Sequence, residues 1–189
     1  MSRPKSEDKK IAILEAALRV FAERGNLGAP TSAISKEAGV AEGTLFTYFK
    51  SKDELINGLY RHLRARFDRA LAEYPYGADA KTRLRYVWDR YIDRHLAQPE
   101  LLTLLVQLRN SGSLVEGLGV PSVAMMEMLS VTREVVRGGK FQDAPVGLMV
   151  LMVRGQCEAV VDYIQEHPEQ EAMSRELGFQ VIWNGLQGR

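Results

Sequence analysis

The feature that most limits the fold is a run of apolar stripes at spacings of three and four residues, each cut short by glycine or proline. That spacing gathers side chains on one face of a helix, whereas a half-buried strand would alternate by two. No strand-like alternation of useful length occurs, and no internal repeat or low-complexity tract. The chain therefore reads as all-α, with about nine helices. The first covers Glu7 to Arg24, with Ile11, Leu14, Leu18 and Phe21 on one face and Gly25 at its end. After the loop Asn26 to Pro30, Thr31 serves as N-cap of a short helix over Ser32 to Ala38. Gly39 and Val40 form a tight turn before a third helix, Glu42 to Phe49. Ser51 and Glu54 make a capping box for a long fourth helix that carries Leu55, Leu59, Leu63 and Phe67.

Five more helices follow. The fifth, Ala80 to Ala97, has the stripe Leu84, Trp88, Tyr91 and His95. Pro99 opens the sixth, with Leu101, Leu104, Leu105 and Leu108, and a glycine-rich loop spans Ser111 to Gly119. The seventh runs from Pro121 to Gly138-Gly139, and the eighth, Val146 to Glu166, is mostly apolar. Pro168 separates it from a ninth over Ser174 to Leu186.

Charge is distributed unevenly along the 189 residues. The net charge is only +1, but residues 1–72 hold 13 basic against 9 acidic side chains and the rest 12 against 15. A basic head on an acidic body is the asymmetry expected where only the head meets a polyanion. No apolar run reaches the length of a membrane span, and the polar start, Met1 to Lys10, has no secretory signal pattern, so a cytoplasmic protein is expected. The single cysteine, Cys157, excludes an internal disulfide and reads as a small buried hydrophobe. His62, His95 and His167 are scattered without metal-ligand spacing, so no metal and no cofactor is expected. No catalytic triad, paired-carboxylate motif or phosphate-cradling glycine loop is present, which argues against an enzyme.

The segment TSAISKEAGVAEGTLFTYFKSK, Thr31 to Lys52, carries the functional signal. Ile34, Ala38, Val40 and Leu45 are spaced to make a small core shared by two short helices, and Gly39 supplies the backbone freedom of the turn. Glu42, Gly43, Thr44, Thr47 and Tyr48 then face outward. A short, hydroxyl-rich face that is small at its start suits the major groove of DNA. Lys50 and Lys52 flank it where a phosphate strand would pass, and Thr31 and Ser32 offer hydroxyls and free amides at another helix start. Arg3, Lys5, Lys9 and Lys10 could form an arm that follows phosphates, or a solvated tail.

ILEAALRVFAERG followed by AISKEAGVAEGTLFTYFKSKDEL resembles the signature of the tetracycline-repressor (TetR) family of bacterial regulators, from about Ile11 to Leu59. The resemblance implies a helix-turn-helix DNA-binding domain over residues 1–52 and a helical effector-binding and dimerisation domain over 53–189, joined by a helix at 53–73. It implies base-reading roles for Gly43, Thr44, Thr47 and Tyr48 and phosphate roles for Thr31 and Lys52. Two positions depart from the family pattern. Phe46 stands where tyrosine is common, so it could be purely a packing residue, and Ala41 stands where serine is common, leaving a weak N-cap. Glu42 partly offsets the weak cap by meeting the helix dipole; facing DNA it would repel phosphate, accept from a cytosine amino group, or exclude other bases.

In the body, Trp88, Tyr91, His95, Met125, Met128, Met152 and Gln156 could line a small-molecule effector pocket or simply fill a core. Arg154 and Glu158, four apart, are either an ordinary ion pair or polar groups reserved for a ligand. The last two helices are more apolar than one buried face requires, and a second copy of the chain is the economical partner. The expected dimer face holds Val153, Val160, Val161, Ile164, Phe179, Ile182 and Trp183. The expected partners are thus operator DNA, a second copy and a small-molecule effector. The expected role is a repressor released from a pseudo-palindromic operator.

Overall fold

A computed structural model describes residues 5–24, 28–71, 73–110 and 123–188. Among them are nine α-helices, a short 3-10 turn and no strand. The helices are α1 (Lys5–Arg24), α2 (Thr31–Glu37), α3 (Glu42–Tyr48), α4 (Lys52–Ala70), α5 (Ala80–Ala97), α6 (Pro99–Asn110), α7 (Val123–Val136), α8 (Val146–Glu166) and α9 (Glu171–Gln187). The 3-10 turn, Pro168–Gln170, is where Pro168 breaks the chain between α8 and α9. The helix α9 begins three residues ahead of Ser174, because that turn runs straight into it. The expected ends Gly25 and Pro121, the glycine-rich loop Ser111 to Gly119, and Arg3 of the basic arm lie outside the described residues.

Contacts divide the chain into two compact units. The first gathers the described residues up to Arg66 together with α6; the second gathers Phe67–Gln98 and the described residues from 123 onward. In the first unit α1 is enclosed on more than one side. Ile13, Ala16, Ala17 and Phe21 are fully buried, with Leu14 and Val20 nearly so, while Ile11 and Leu18 stay half-buried. Two alanines one residue apart let neighbouring helices approach, which a single apolar stripe did not suggest. Ile34 of α2, Leu45 of α3, Leu55, Leu59 and Leu63 of α4, and Leu101, Leu104 and Leu108 of α6 complete this core.

The start of α4 is held as its sequence requires. The Glu54 amide donates to Ser51 Oγ at 3.1 Å, and the Glu54 carboxylate accepts from the Lys50 amide at 2.6 Å. The reciprocal bond thus reaches one residue further back than in the usual capping box. Thr31, by contrast, is the first residue of α2 and not its cap. Pro30 holds that place with an extended backbone (φ −70°, ψ 148°) and has no side-chain donor or acceptor to cap with.

In the second unit Leu84, Val87, Trp88 and Ile92 of α5 pack with Val131 and Val136 of α7, Val150, Val153, Cys157 and Val161 of α8, and Phe179, Ile182 and Leu186 of α9. Among the described residues, no helix is long and apolar enough to cross a membrane. Among the described glycines of the second unit, Gly178 has the least room: an added Cβ would sit 2.8 Å from Val160 Cγ2 and 2.9 Å from the Trp88 ring. Neither neighbour can retreat easily, since one is β-branched on a helix and the other is a buried indole. Gly178→Ala should therefore lower stability by about 1–2 kcal/mol, the overpacking cost less the better helix propensity of alanine. Gly147, with open space around it, provides the control: calorimetry should show a lower Tm for Gly178→Ala and none of that loss for Gly147→Ala.

Candidate nucleic-acid interface

Helices α2 and α3 have seven residues each, so their relative placement depends on the turn and the core beneath it. The amides of Ala38, Gly39 and Val40 donate to the carbonyls of Ile34, Lys36 and Ser35 at 2.9, 3.1 and 3.0 Å. Gly39 takes φ +65°, a left-handed conformation that glycine adopts without steric cost. Ile34 and Leu45 are fully buried, and Ala38 and Val40 pack against the same cluster half-buried, as the four-residue spacing predicts. Arg19 of α1 pairs with Glu37 of α2 at 2.7 Å.

With Leu45 turned inward, α3 leaves Glu42, Gly43, Phe46 and Thr47 exposed. Nothing lies within 4 Å of a Cβ built on Gly43, so a flat surface could approach the backbone there. Thr47 Oγ1 donates to the Gly43 carbonyl at 2.9 Å, which uses its proton and leaves an acceptor oxygen and a methyl group. Thr44 is half-buried. Tyr48, expected on the outward face, is half-buried against the core of the first unit. Phe46 is the reverse case: 39% of it is exposed, so it is not purely a packing residue. Its position was legible, since it lies three residues from Gly43 and four from Glu42 on the same face.

At the flanks, Ser32 and Lys50 are exposed and Lys52 is half-buried. The Ser32 carbonyl accepts from Ser35 Oγ at 3.1 Å. Thr31 Oγ1 donates to Glu42 Oε1 at 2.8 Å, a bond between the first residues of α2 and α3 that no sequence spacing announces. Ala41 precedes α3 with an extended backbone and no side-chain cap, as its methyl side chain requires.

The structure does not bring the body residues together at one place. Trp88 packs beneath Gly178 and near Phe179, with ring centroids 6.3 Å apart. Tyr91 and His95 sit together, with ring centroids 4.2 Å apart, and Tyr91 and Phe67 form a T-shaped pair with centroids 6.1 Å apart. The Tyr91 hydroxyl donates to Glu158 at 3.2 Å, and Arg154 approaches the same carboxylate at 3.5 Å. His95 is buried, its Nδ1 2.7 Å from the Tyr91 carbonyl. Gln156 Nε2 donates to the Gly178 carbonyl at 3.1 Å and so ties α8 to α9. Met128 is buried and Met125 half-buried on α7. Met152 is 67% exposed on the outer face of α8 and so lines no interior space. Burial pushes the Cys157 thiol well above its ordinary pKa, with the Glu158 charge adding to the shift, so it stays protonated. A small open cleft of about 130 Å³ exists in the first unit between α1 and α6, lined by Phe21, Thr103, Leu104 and Gln107 among others, and holds none of the expected effector residues.

The expected dimer face also needs correction. Val153, Val161, Ile164, Phe179 and Ile182 are buried within the chain, and Val160 and Trp183 are half-buried. These residues form the inner face of α8 and α9. The outer face carries exposed Leu148, Leu151, Met152 and Tyr163 on α8 and Met173, Leu177 and Val181 on α9. Both faces are apolar, as the composition of the two helices demands, and burial distinguishes the inner from the outer.

Residues 13–59, which span most of α1 through the start of α4, match the family described as bacterial regulatory proteins, tetR family. A tetR-family structure from Shewanella sp. superposes with a TM-score of 0.82 at 28% identity, over 94% of this chain and 97% of that one. The matched segment, residues 13–59, belongs to the TetR family. Among its relatives, the fatty acid metabolism regulator protein of Bacillus subtilis is 34% identical over 101 residues, 53% of this chain and 52% of that protein. The transcriptional repressor NicS of Pseudomonas putida is 35% identical over 98 residues, 49% and 44% of the two chains. The chain thus spans about half the length of the curated relatives it matches. The structure of Bacillus subtilis FadR with stearoyl-CoA shares the fold, with a TM-score of 0.66 at 22% identity over 93% and 98% of the two chains.

Proposed function

We propose that this chain is a DNA-binding transcriptional regulator, a homodimeric repressor that holds a pseudo-palindromic operator and leaves it when a small molecule enters the second unit. The observation that carries this proposal is the exposed face of α3, with Gly43 open to close approach and Thr47 beside it, standing on a packed two-helix turn. On this proposal Gly43, Thr44 and Thr47 meet base edges, Tyr48 acts from the margin of that face, and Ser32, Lys50 and Lys52 meet phosphates. Residues 1–52 do the binding, and α4, which contributes to both units, links it to the rest.

Phosphate contacts and base contacts have separable signatures. Lys52→Ala should weaken binding to specific and random duplex alike and lower the salt slope by about one. Thr47→Ala should instead alter sequence preference, costing about 1–3 kcal/mol at one base pair of each half-site. Titrations at several salt concentrations check both; equal losses on every sequence from both substitutions would refute the division.

A second copy is supported by the outer apolar face of α8 and α9, which is left uncovered in a single chain. In an isologous dimer that face meets itself, and two recognition helices reach half-sites about 34 Å apart. Val181 is 53% exposed on α9, so Val181→Glu should leave the fold intact. It should shift the sedimentation coefficient to that of a monomer and abolish operator binding at nanomolar protein; an unshifted dimer would rule this face out.

Release by an effector is a matter of linkage. A ligand that favours the conformer poorly matched to DNA must lower operator affinity by the same coupling, typically about 1–3 kcal/mol. The cluster of Tyr91, His95, Arg154 and Glu158 gives the second unit a polar group of residues among apolar ones, the mixture a small-molecule site uses. Long-chain acyl-CoA is the class to try first, given the stearoyl-CoA complex of Bacillus subtilis FadR. Saturating stearoyl-CoA is expected to release operator DNA, and unchanged affinity would exclude it as the effector.

A further inference from the structure

Glu42 is an unusual charge on a face proposed to meet a polyanion. It is exposed at the first turn of α3, beside Gly43, which leaves the space around it open. Thr31 Oγ1 holds one carboxylate oxygen at 2.8 Å from across the turn. Among the described residues nothing donates to the other oxygen. A long acidic side chain on a surface helix ordinarily samples several rotamers, and this hydroxyl selects one. The arrangement also commits the Thr31 proton to Glu42, so that Thr31 is not a ready donor to phosphate while the bond stands.

A fixed carboxylate only accepts hydrogen bonds, and in the major groove the donors are the amino groups of cytosine and adenine. The adenine amino group lies next to the N7 acceptor of the same base, which repels a carboxylate, whereas the cytosine amino group has no such acceptor on its own ring edge. Repulsion from phosphates is least where the charge lies toward the floor of the groove. We propose that Glu42 is a specificity-determining residue that accepts from a cytosine amino group in each half-site, and that Thr31 is its positioning residue. This inference rests on the proposal that α3 reads DNA.

Selection of bound duplexes from a random pool tests it, using the full chain and its Glu42→Gln, Thr31→Val and Thr31→Ser variants. Glutamine retains an oxygen able to accept from Thr31 but gains a donor, and the paired amide suits adenine. The wild type should enrich sites with cytosine at one fixed position of each half-site. Glu42→Gln should move that position to adenine and leave the others as they were. Thr31→Val should relax the cytosine preference by about tenfold, the scale of one lost base contact, at an unchanged thermal midpoint. Thr31→Ser, which keeps the hydroxyl, should restore it. An identical base profile for wild type and Glu42→Gln would overturn the inference while the DNA-reading proposal stands. A Thr31→Val profile equal to that of the wild type would overturn the role of Thr31. A wild-type pool without any enriched symmetric site would overturn the DNA-reading proposal itself.

Discussion

A helix of seven residues cannot hold itself together in water, because nucleating it fixes several backbone angles before the first hydrogen bond forms. Both α2 and α3 are of that length, so everything proposed for the outward face depends on the packing underneath. Ile34 and Leu45 supply it, fully buried in one cluster with Ala16, Ala17 and Phe21 of α1. Gly39 lets the chain reverse between them with a positive φ. The exposed threonines and glutamate stand where they do because apolar residues on the opposite side leave them no other place.

That dependence also explains which parts of the molecule were legible in its sequence. Helix type and order followed from spacing, and α5 and α8 were read with the bounds the structure has. The turn at Gly39 and its four supporting residues were equally clear, since each follows from a local rule. Thr31 was misread because local preference names it a cap, whereas the partner it finds, Glu42, is eleven residues away. Phe46 and Tyr48 exchanged roles for a similar reason. Both are aromatic on one short helix; spacing puts Phe46 on the face of Glu42 and Gly43, whereas the neighbouring core draws Tyr48 in.

The last two helices show a limit of periodicity. A helix apolar on two sides announces that it has two partners, but not which side meets which. Gly178 settles the matter for α9: with no side chain, it lets the Trp88 indole and Val160 press against the backbone, so that face turns inward with Phe179 and Ile182. Leu177 and Val181 are left outside as a consequence. A glycine within a helix is usually read as a weakness; here it is what lets α5 and α8 close on the backbone of α9.

The place of α6 in the first unit has a consequence for how the molecule is made. Leu101, Leu104 and Leu108 cover α1 from a position some ninety residues later in the chain. At about 5–20 residues per second of synthesis, the emerging head would wait several seconds with that side of α1 uncovered. During this interval its apolar surface is open to chaperones, and to other nascent chains on the same message. A cut after the fourth helix would make the wait permanent, so the head is not a free-standing module that can be lifted out by dividing the gene at one point.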